Sequence, residues 1–257
     1  MCGVLVYLAR YWAMGLHSSG RDPRSQNPVR RRREGGRGTP TVYFEAELLG
    51  GGVRRLACID EVGRGALAGP VLVGVVVLTQ PVTQPPSRLR DSKLLTPRVR
   101  GELVPEIRSW VCEWATGAAS PAEIDQYGLT VALGLAGKRA LGSLAAPVDH
   151  VLLDGKHDWL STPTQGTLFA GIPAGTYAAP IPVPVTMRVQ ADLECAGVAA
   201  ASVLAKVARD AVMETLAASY PVYGWKENKG YGTESHRAAI QRHGPCKEHR
   251  KSWHLTD

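Results

Sequence analysis

The sequence predicts an α/β protein, a mixed β-sheet flanked by helices with a small helical segment closing the chain. Three patterns carry this. Leu56-Ala57-Cys58-Ile59-Asp60 is a short apolar run ending in acid, and Pro70 to Leu78 (PVLVGVVVL) is a β-branched run behind a Gly-rich turn. Val148 to Asp154 (VDHVLLD) repeats the apolar-then-acid pattern further on. Between and after these runs, apolar residues recur at helical spacing. A hairpin followed by strands alternating with helices makes a mixed sheet.

Each element has a local cause. The second strand is apolar at every position but Gly74, as a strand buried on both faces must be, and the Pro-rich stretch 81–86 ends it. Val99, Leu103, Ile107 and Trp110 predict a helix over 97–115, with Pro105 inside it. Ser120-Pro121-Ala122-Glu123 reads as a helix start, Ser as cap and Pro in the first turn. A further helix covers 129–143. Residues 159–180 are a Gly/Pro/Thr-rich loop, 181–187 a short strand, and a long Ala-rich helix runs from near Leu193 to about Ala218. Helical pieces follow 219.

The 257 residues are 44% hydrophobic and 21% charged, enough to bury a sizeable core and too apolar for wholesale disorder. The net charge of +7 is unevenly spread. Residues 1–40 hold eight Arg against Asp22 and Glu34, whereas 41–225 are slightly acidic. Lys226 to His254 is basic again, with seven basic and three acidic residues. Three regions result: a disordered basic extension (1–40), a folded domain (41–218) and a basic helical C-terminal segment (219–257). Basic stretches suit a polyanionic partner, although solvated charge runs look the same in sequence.

No apolar run reaches the roughly 18 residues of a membrane helix, and Arg10 interrupts the first 16 residues where a secretory signal would be apolar. The five cysteines are scattered, with no C-x-x-C pair. Both features predict a soluble, cytoplasmic protein without a disulfide framework. Cys246 and His249 have half of a zinc-like spacing, but a second cysteine pair is missing.

The acids at the strand ends carry the chemistry. Asp60 and Glu61 end the first strand, Asp154 ends a later one, and Asp192 precedes the long helix. Open α/β sheets build their sites at such ends. Carboxylates gathered together repel one another unless a cation compensates, and hard oxygen donors suit Mg²⁺ or Mn²⁺. Two such ions would serve in-line phosphoryl chemistry. The competing account makes Asp154 a loop cap and Asp192 a helix cap.

Gly63-Arg64-Gly65 follows the carboxylate pair at once. With Gly69 it nearly fits a dinucleotide fingerprint, but that motif needs a helix next, and Pro70 opens a strand. A backbone that hugs its ligand explains the glycines better.

DEVGRG at 60–65 with ALAGPVLVG at 66–74 resembles the opening signature of bacterial ribonuclease HII. The resemblance continues through Asp91-Ser92-Lys93-Leu94-Leu95, Leu153-Asp154-Gly155-Lys156, Asp192 and Ala199 to Asp210. It ends with Asn228 to Thr233, His236 and His249-Arg250-Lys251-Ser252-Trp253. It implies an RNase H-like fold and a monomeric, metal-dependent endonuclease. Such an enzyme cuts the RNA strand of RNA–DNA hybrids and duplex DNA at embedded ribonucleotides. Carried over by position, Asp60, Glu61, Asp154 and Asp192 match the ligands of two Mn²⁺ or Mg²⁺ ions. Gly63, Arg64 and Gly65 match the loop whose backbone reads the 2′-OH, the group that separates RNA from DNA. Tyr231 matches an aromatic on the next sugar, and Ser92 and Lys93 are assigned phosphate contact.

Lys206 lies one helical turn from both Ser202 and Asp210, and a structural role for that set competes with a catalytic one. Gln190-Ala191 stand where the family carries Lys-Gly, and Glu194 adds an acid that could compete with Asp192. A non-catalytic nucleic-acid-binding protein is the alternative; it would not need the carboxylates.

Overall fold

The computed structural model describes residues 39–161 and 181–256. Most of the basic extension and the greater part of the 159–180 loop fall outside the described residues. Five strands form one sheet: β1 (Leu56–Val62), β2 (Val71–Leu78), β3 (Glu113–Ala119), β4 (His150–Asp154) and β5 (Val185–Arg188), ordered β3-β2-β1-β4-β5. The β1–β2 and β2–β3 pairs are antiparallel; β1–β4 and β4–β5 are parallel. The sheet is mixed, as expected.

Alternation along the strands divides the core. Ala57 and Ile59 of β1 and Val71, Val73, Val75 and Val77 of β2 face α3 (Pro121–Tyr127) and α4 (Leu129–Gly142). Leu56, Cys58, Val76, Leu78 and Leu152 face α2 (Pro97–Trp110) and α6 (Ala196–Ser219). With helices on both faces, β2 has no polar side to show, which is why it reads as a continuous apolar run. Helix α6 lies directly on the hairpin. A Cβ at Gly74 would sit 2.3 Å from the Ala201 carbonyl oxygen, and one at Gly197 2.5 Å from Cys58 Sγ. Only glycine and the alanines of 199–201 permit so close a layer.

The observed α3 begins as its sequence predicts: Ser120 caps Glu123 N and the Glu123 side chain reaches back to Ser120 N. The expected helix over 97–115 is shorter and gives way to a strand. Helix α2 ends at Trp110, and Glu113–Ala119 (EWATGAA) pairs with the open edge of β2. Alanine and glycine have little intrinsic taste for strands, so the pairing overrides propensity. Close packing selects them: a Cβ at Gly117 would meet the Ala136 carbonyl oxygen of α4 at 2.1 Å. The expected long helix from Leu193 is also divided. A short α5 (Ala191–Glu194) stops at Cys195, whose backbone is extended, and α6 starts anew at Ala196.

An unforeseen helix α1 (Tyr43–Gly50) precedes the sheet. Thr41 accepts from Ala196 N and donates to the Glu194 carbonyl oxygen, each at 2.9 Å, fastening this segment to the α5–α6 junction. At the other end of the chain, α7 (Trp225–Asn228) and α8 (Glu234–His243) build a small core with Leu67, Ala68, Met213 and Tyr223. Isolated bridges Ala66–Tyr231 and Ala68–His249 tie that segment to the turn between β1 and β2. The described residues form one compact unit. Among the described residues, no helix is long and apolar enough to cross a membrane.

Candidate active site

Parallel pairing of β1 and β4 sets Ile59 opposite Leu153, so Asp60 and Asp154 are the next step on neighbouring strands. Asp60 is 4% exposed and accepts from Glu61 N at 2.8 Å. Burial pushes its carboxyl well above the usual range, and Glu61 and Asp154 push it further. Asp154 Oδ1 accepts from Ala191 N at 2.7 Å, which fixes α5 against the end of β4. Its carboxyl is raised by burial and by Asp192. Glu61 is raised by burial as well, opposed by Arg64, whose Nη1 lies 3.2 Å from Glu61 Oε1.

Asp192, 6% exposed, has one close cation among the described residues. Lys93 Nζ donates to its Oδ2 at 3.0 Å and stands 3.8 Å from Asp91 Oδ2. Asp91 also accepts from Lys93 N at 3.1 Å, shaping the 3₁₀ turn Ser92–Leu94. The sequence reading gave Asp91 no role, although it is the residue that aims Lys93. Ser92 is buried, its Oγ 2.7 Å from Ser202 Oγ, which places it behind Lys93 rather than at the surface. Lys206 pairs with Asp210 at 2.6 Å, as the one-turn spacing suggests, and its Nζ lies 5.9 Å from the Tyr231 ring centre. Glu194 is drawn off by Arg188, whose Nε donates to it at 2.9 Å, so it does not crowd Asp192.

The glycine loop is built from below. Gly63 has φ +86°, in the left-handed region, and a Cβ there would lie 2.1 Å from Arg209 Nε. Gly65 has open space around it. Tyr231 reaches the loop because Leu67 N and Ala68 N donate to the Gly230 carbonyl oxygen at 2.8 and 3.2 Å. Arg209 Cζ lies 5.3 Å from its ring centre. Behind Tyr231, His236 Nδ1 lies 2.9 Å from the Tyr231 carbonyl oxygen, which requires the proton on Nδ1. His236 Nε2 then accepts from Trp225 Nε1 at 2.9 Å and faces His249 Nε2 at 3.2 Å. Cys246 N donates to His249 Nδ1 at 3.0 Å, so this ring carries its proton on Nε2. That bond also occupies the nitrogen a zinc-like Cys246–His249 pair would offer.

One expectation needs correction. Arg250 belongs to the basic C-terminal stretch assigned to the nucleic-acid backbone, yet it is fully buried, as is Arg209. Burial lowers Arg250 to about 9, so it stays protonated at neutral pH. Lys226, Lys247 and Lys251 of the same stretch are exposed.

The donor chemistry fits a divalent cation. Glu61 Oε2 is buried without a hydrogen-bond partner among the described residues, and three acids are held high by burial and mutual repulsion. Among the described residues, no three His, Cys, Asp or Glu close into a ready ligand cage. Mg²⁺ is commonly bound in such open sites, by one or two carboxylates with water and substrate phosphate completing the shell.

A mixed sheet covered by helices, with acids gathered at the ends of adjacent parallel strands, is a setting suited to metal-dependent phosphoryl hydrolysis. A family model described as Ribonuclease HII matches residues 57–256. The ribonuclease HII of Streptomyces coelicolor is 44% identical over 219 residues, covering 85% of each chain. That of Streptomyces griseus subsp. griseus is 45% identical over 222 residues, with the same coverage. The chain therefore belongs to the ribonuclease HII family, whose members act on RNA–DNA hybrids and depend on divalent metal. Among solved structures, ribonuclease H2 from Pyrococcus horikoshii OT3 aligns with a TM-score of 0.56 at 26% identity, over 79% of this chain and 95% of that one. Bst-RNase HIII in complex with Mn²⁺ aligns with a TM-score of 0.59 at 16% identity, over 98% and 78%, a likeness of fold.

Proposed function

We propose that this ribonuclease H hydrolyses the RNA strand of RNA–DNA hybrids and also cuts duplex DNA on the 5′ side of an embedded ribonucleotide. The observation that carries the reading is the placement of Asp60 and Asp154 one step beyond the last β1–β4 pair, on neighbouring strands, beside a glycine loop without side-chain bulk. Asp60, Glu61, Asp154 and Asp192 would hold one or two Mg²⁺ or Mn²⁺ ions. Bound there, the cations would activate water and offset charge on the phosphoryl oxygens. Water adds to phosphorus, the bond to the upstream 3′ oxygen breaks, and that oxygen leaves protonated. The products are a 3′-OH and a 5′-phosphate.

The remaining residues select and hold the substrate. Backbone groups of Gly63, Arg64 and Gly65 meet the 2′-OH. Tyr231 lies flat on the next sugar and tolerates its missing hydroxyl, so one junction is enough for recognition. Lys93 contacts a phosphate, and Ser92 orients the turn that carries it. The basic 1–40 stretch and the exposed lysines near the C-terminus add salt-sensitive, sequence-independent affinity. The enzyme works as a monomer in the cytoplasm.

The alternative, binding without cleavage, is disfavoured because buried acids repel phosphate and would weaken a mere binder. The test is an end-labelled DNA duplex with one internal ribonucleotide, incubated with Mg²⁺, Mn²⁺ or EDTA. A single cut 5′ of the ribonucleotide, lost with chelator, supports the proposal. Binding without cutting in either metal overturns it.

A further inference from the structure

Two fully buried guanidinium groups lie beneath the glycine loop, and among the described residues neither has a carboxylate within ion-pair distance. They are satisfied by backbone oxygens. Arg250 donates through Nη2 to Gly63 O at 2.6 Å, through Nη1 to Arg64 O at 2.9 Å, and through Nη2 to Gly69 O at 3.1 Å. Arg209 donates to Pro70 O at 3.0 Å, Ala68 O at 3.1 Å and Lys229 O at 2.9 Å. Burying an unpaired charge is costly, so a fold that does it twice under one loop needs a reason. Apolar side chains would fill the same space more cheaply.

Peptide geometry supplies the reason. In a trans peptide the C=O and the following N–H point in opposite directions. Arg250 draws the Gly63 and Arg64 carbonyls inward, so the N–H groups of Arg64 and Gly65, in those same two peptide planes, face outward. Both residues are exposed, and neither N–H has a partner among the described residues. The buried charge also polarises both peptides and strengthens their outward donors. We infer that Arg250, backed by Arg209, is a positioning residue for ribonucleotide recognition, turning the Arg64 and Gly65 N–H groups toward the 2′ oxygen. This rests on the proposed function, in which that loop reads the 2′-OH. Recognition is thus made by an arginine that never touches the substrate.

The test is binding, measured by fluorescence anisotropy with Ca²⁺ in place of a catalytic metal. The full chain is titrated with two labelled duplexes, one all DNA and one with a single ribonucleotide. Two peptide donors are worth about fivefold in affinity at the lower end of ordinary hydrogen-bond energies. Arg250→Lys keeps the charge but cannot fork across three carbonyls. Its preference for the ribonucleotide duplex is expected to fall below about twofold, with affinity for all-DNA duplex unchanged. A merely destabilising change would lower both affinities together. Full preference in a variant with wild-type melting overturns the inference, whereas no preference in the wild type overturns the proposed function instead. If the variant does not fold, amide exchange on the wild-type chain decides. Arg64 and Gly65 N–H are expected to exchange freely alone and to be slowed by the ribonucleotide duplex only. Protection of either in the free protein overturns the inference.

Discussion

Glu45 accepts a hydrogen bond from the Gly197 N–H at 2.7 Å, pinning α1 to the first turn of α6. Its second oxygen is buried without a partner among the described residues. A helix N-terminus favours a carboxylate, but by only about 1 kcal/mol. Burial wins, and the carboxyl is pushed up to about 7. The folded chain then keeps a proton that the unfolded chain releases. Stability from this group is whole below the ordinary value of 4.5 and is lost as pH rises to about 7. The loss amounts to about 3 kcal/mol by pH 8, at 1.36 kcal/mol for each unit. Glu45→Gln keeps the acceptor and removes the charge. It is expected to melt above wild type at pH 8 and level with it near pH 4.5. Equal melting at both pH values would refute this account.

The same logic applies to Asp60, with a different cause and a catalytic price. Burial and two acid neighbours raise its carboxyl, so ionising it without metal strains the fold. Asp60→Asn is expected to melt higher than wild type in EDTA at pH 7.5, with the gap closing as pH falls and the wild-type acid takes its proton. Added Mn²⁺ is expected to stabilise wild type but not the variant. Cleavage falls by at least about 1,000-fold, a few kcal/mol of lost transition-state stabilisation. Turnover near wild type would remove Asp60 from the metal site.

Gly63 and Gly65 separate the structural part of the loop from the recognition part. An alanine Cβ at Gly63 meets Arg209 and requires φ +86°, so Gly63→Ala is expected to cost at least about 1 kcal/mol of stability. Gly65→Ala meets nothing in the protein and should melt within about 0.5 kcal/mol of wild type. In the proposed complex its methyl group would meet the substrate, and cleavage at a single ribonucleotide is expected to drop about tenfold, one good hydrogen bond's worth. Thermal melts paired with single-turnover rates check both. Normal rates for Gly65→Ala would move the substrate away from this loop.

Sequence reveals groups whose chemistry is unusual for their position, and it hides those whose role depends on a partner far along the chain. The placement of Asp60 and Asp154 at strand ends was legible because each follows a buried apolar run. β2 was legible because both its faces are covered. β3 was not, since Glu113–Ala119 is chosen for how closely α4 can approach rather than for strand propensity. Arg250 reads as a surface cation because an arginine in a basic stretch usually is one. Only the fold reveals the carbonyl oxygens it faces, 181 to 187 residues earlier. Glu45 lies ahead of the family match, and nothing near it in sequence announces Gly197.

The buried histidines work against the fold in acid. Burial and the neighbouring His236 lower His249 to about 4, and burial lowers His236 as well. Here the sign is opposite to that of Glu45. Above the ordinary value of 6.5 both states are neutral; as pH falls below it, the unfolded chain takes up protons that the folded chain refuses. His249 therefore removes about 3 kcal/mol between pH 6.5 and 4, over the window in which Glu45 returns a similar amount. The two slopes oppose each other between pH 4.5 and 6.5; the raised carboxyls of Asp60, Glu61 and Asp154 act on the side of Glu45, and His236 acts on the side of His249. Glu45→Gln removes one of them and is expected to steepen the acid limb, while His249→Gln flattens it and makes stability rise as pH falls toward 4.5. The slope of melting temperature against pH, rather than its absolute value, reports this, because either substitution also alters packing. Parallel slopes in all three proteins would show that neither buried group titrates as its surroundings require.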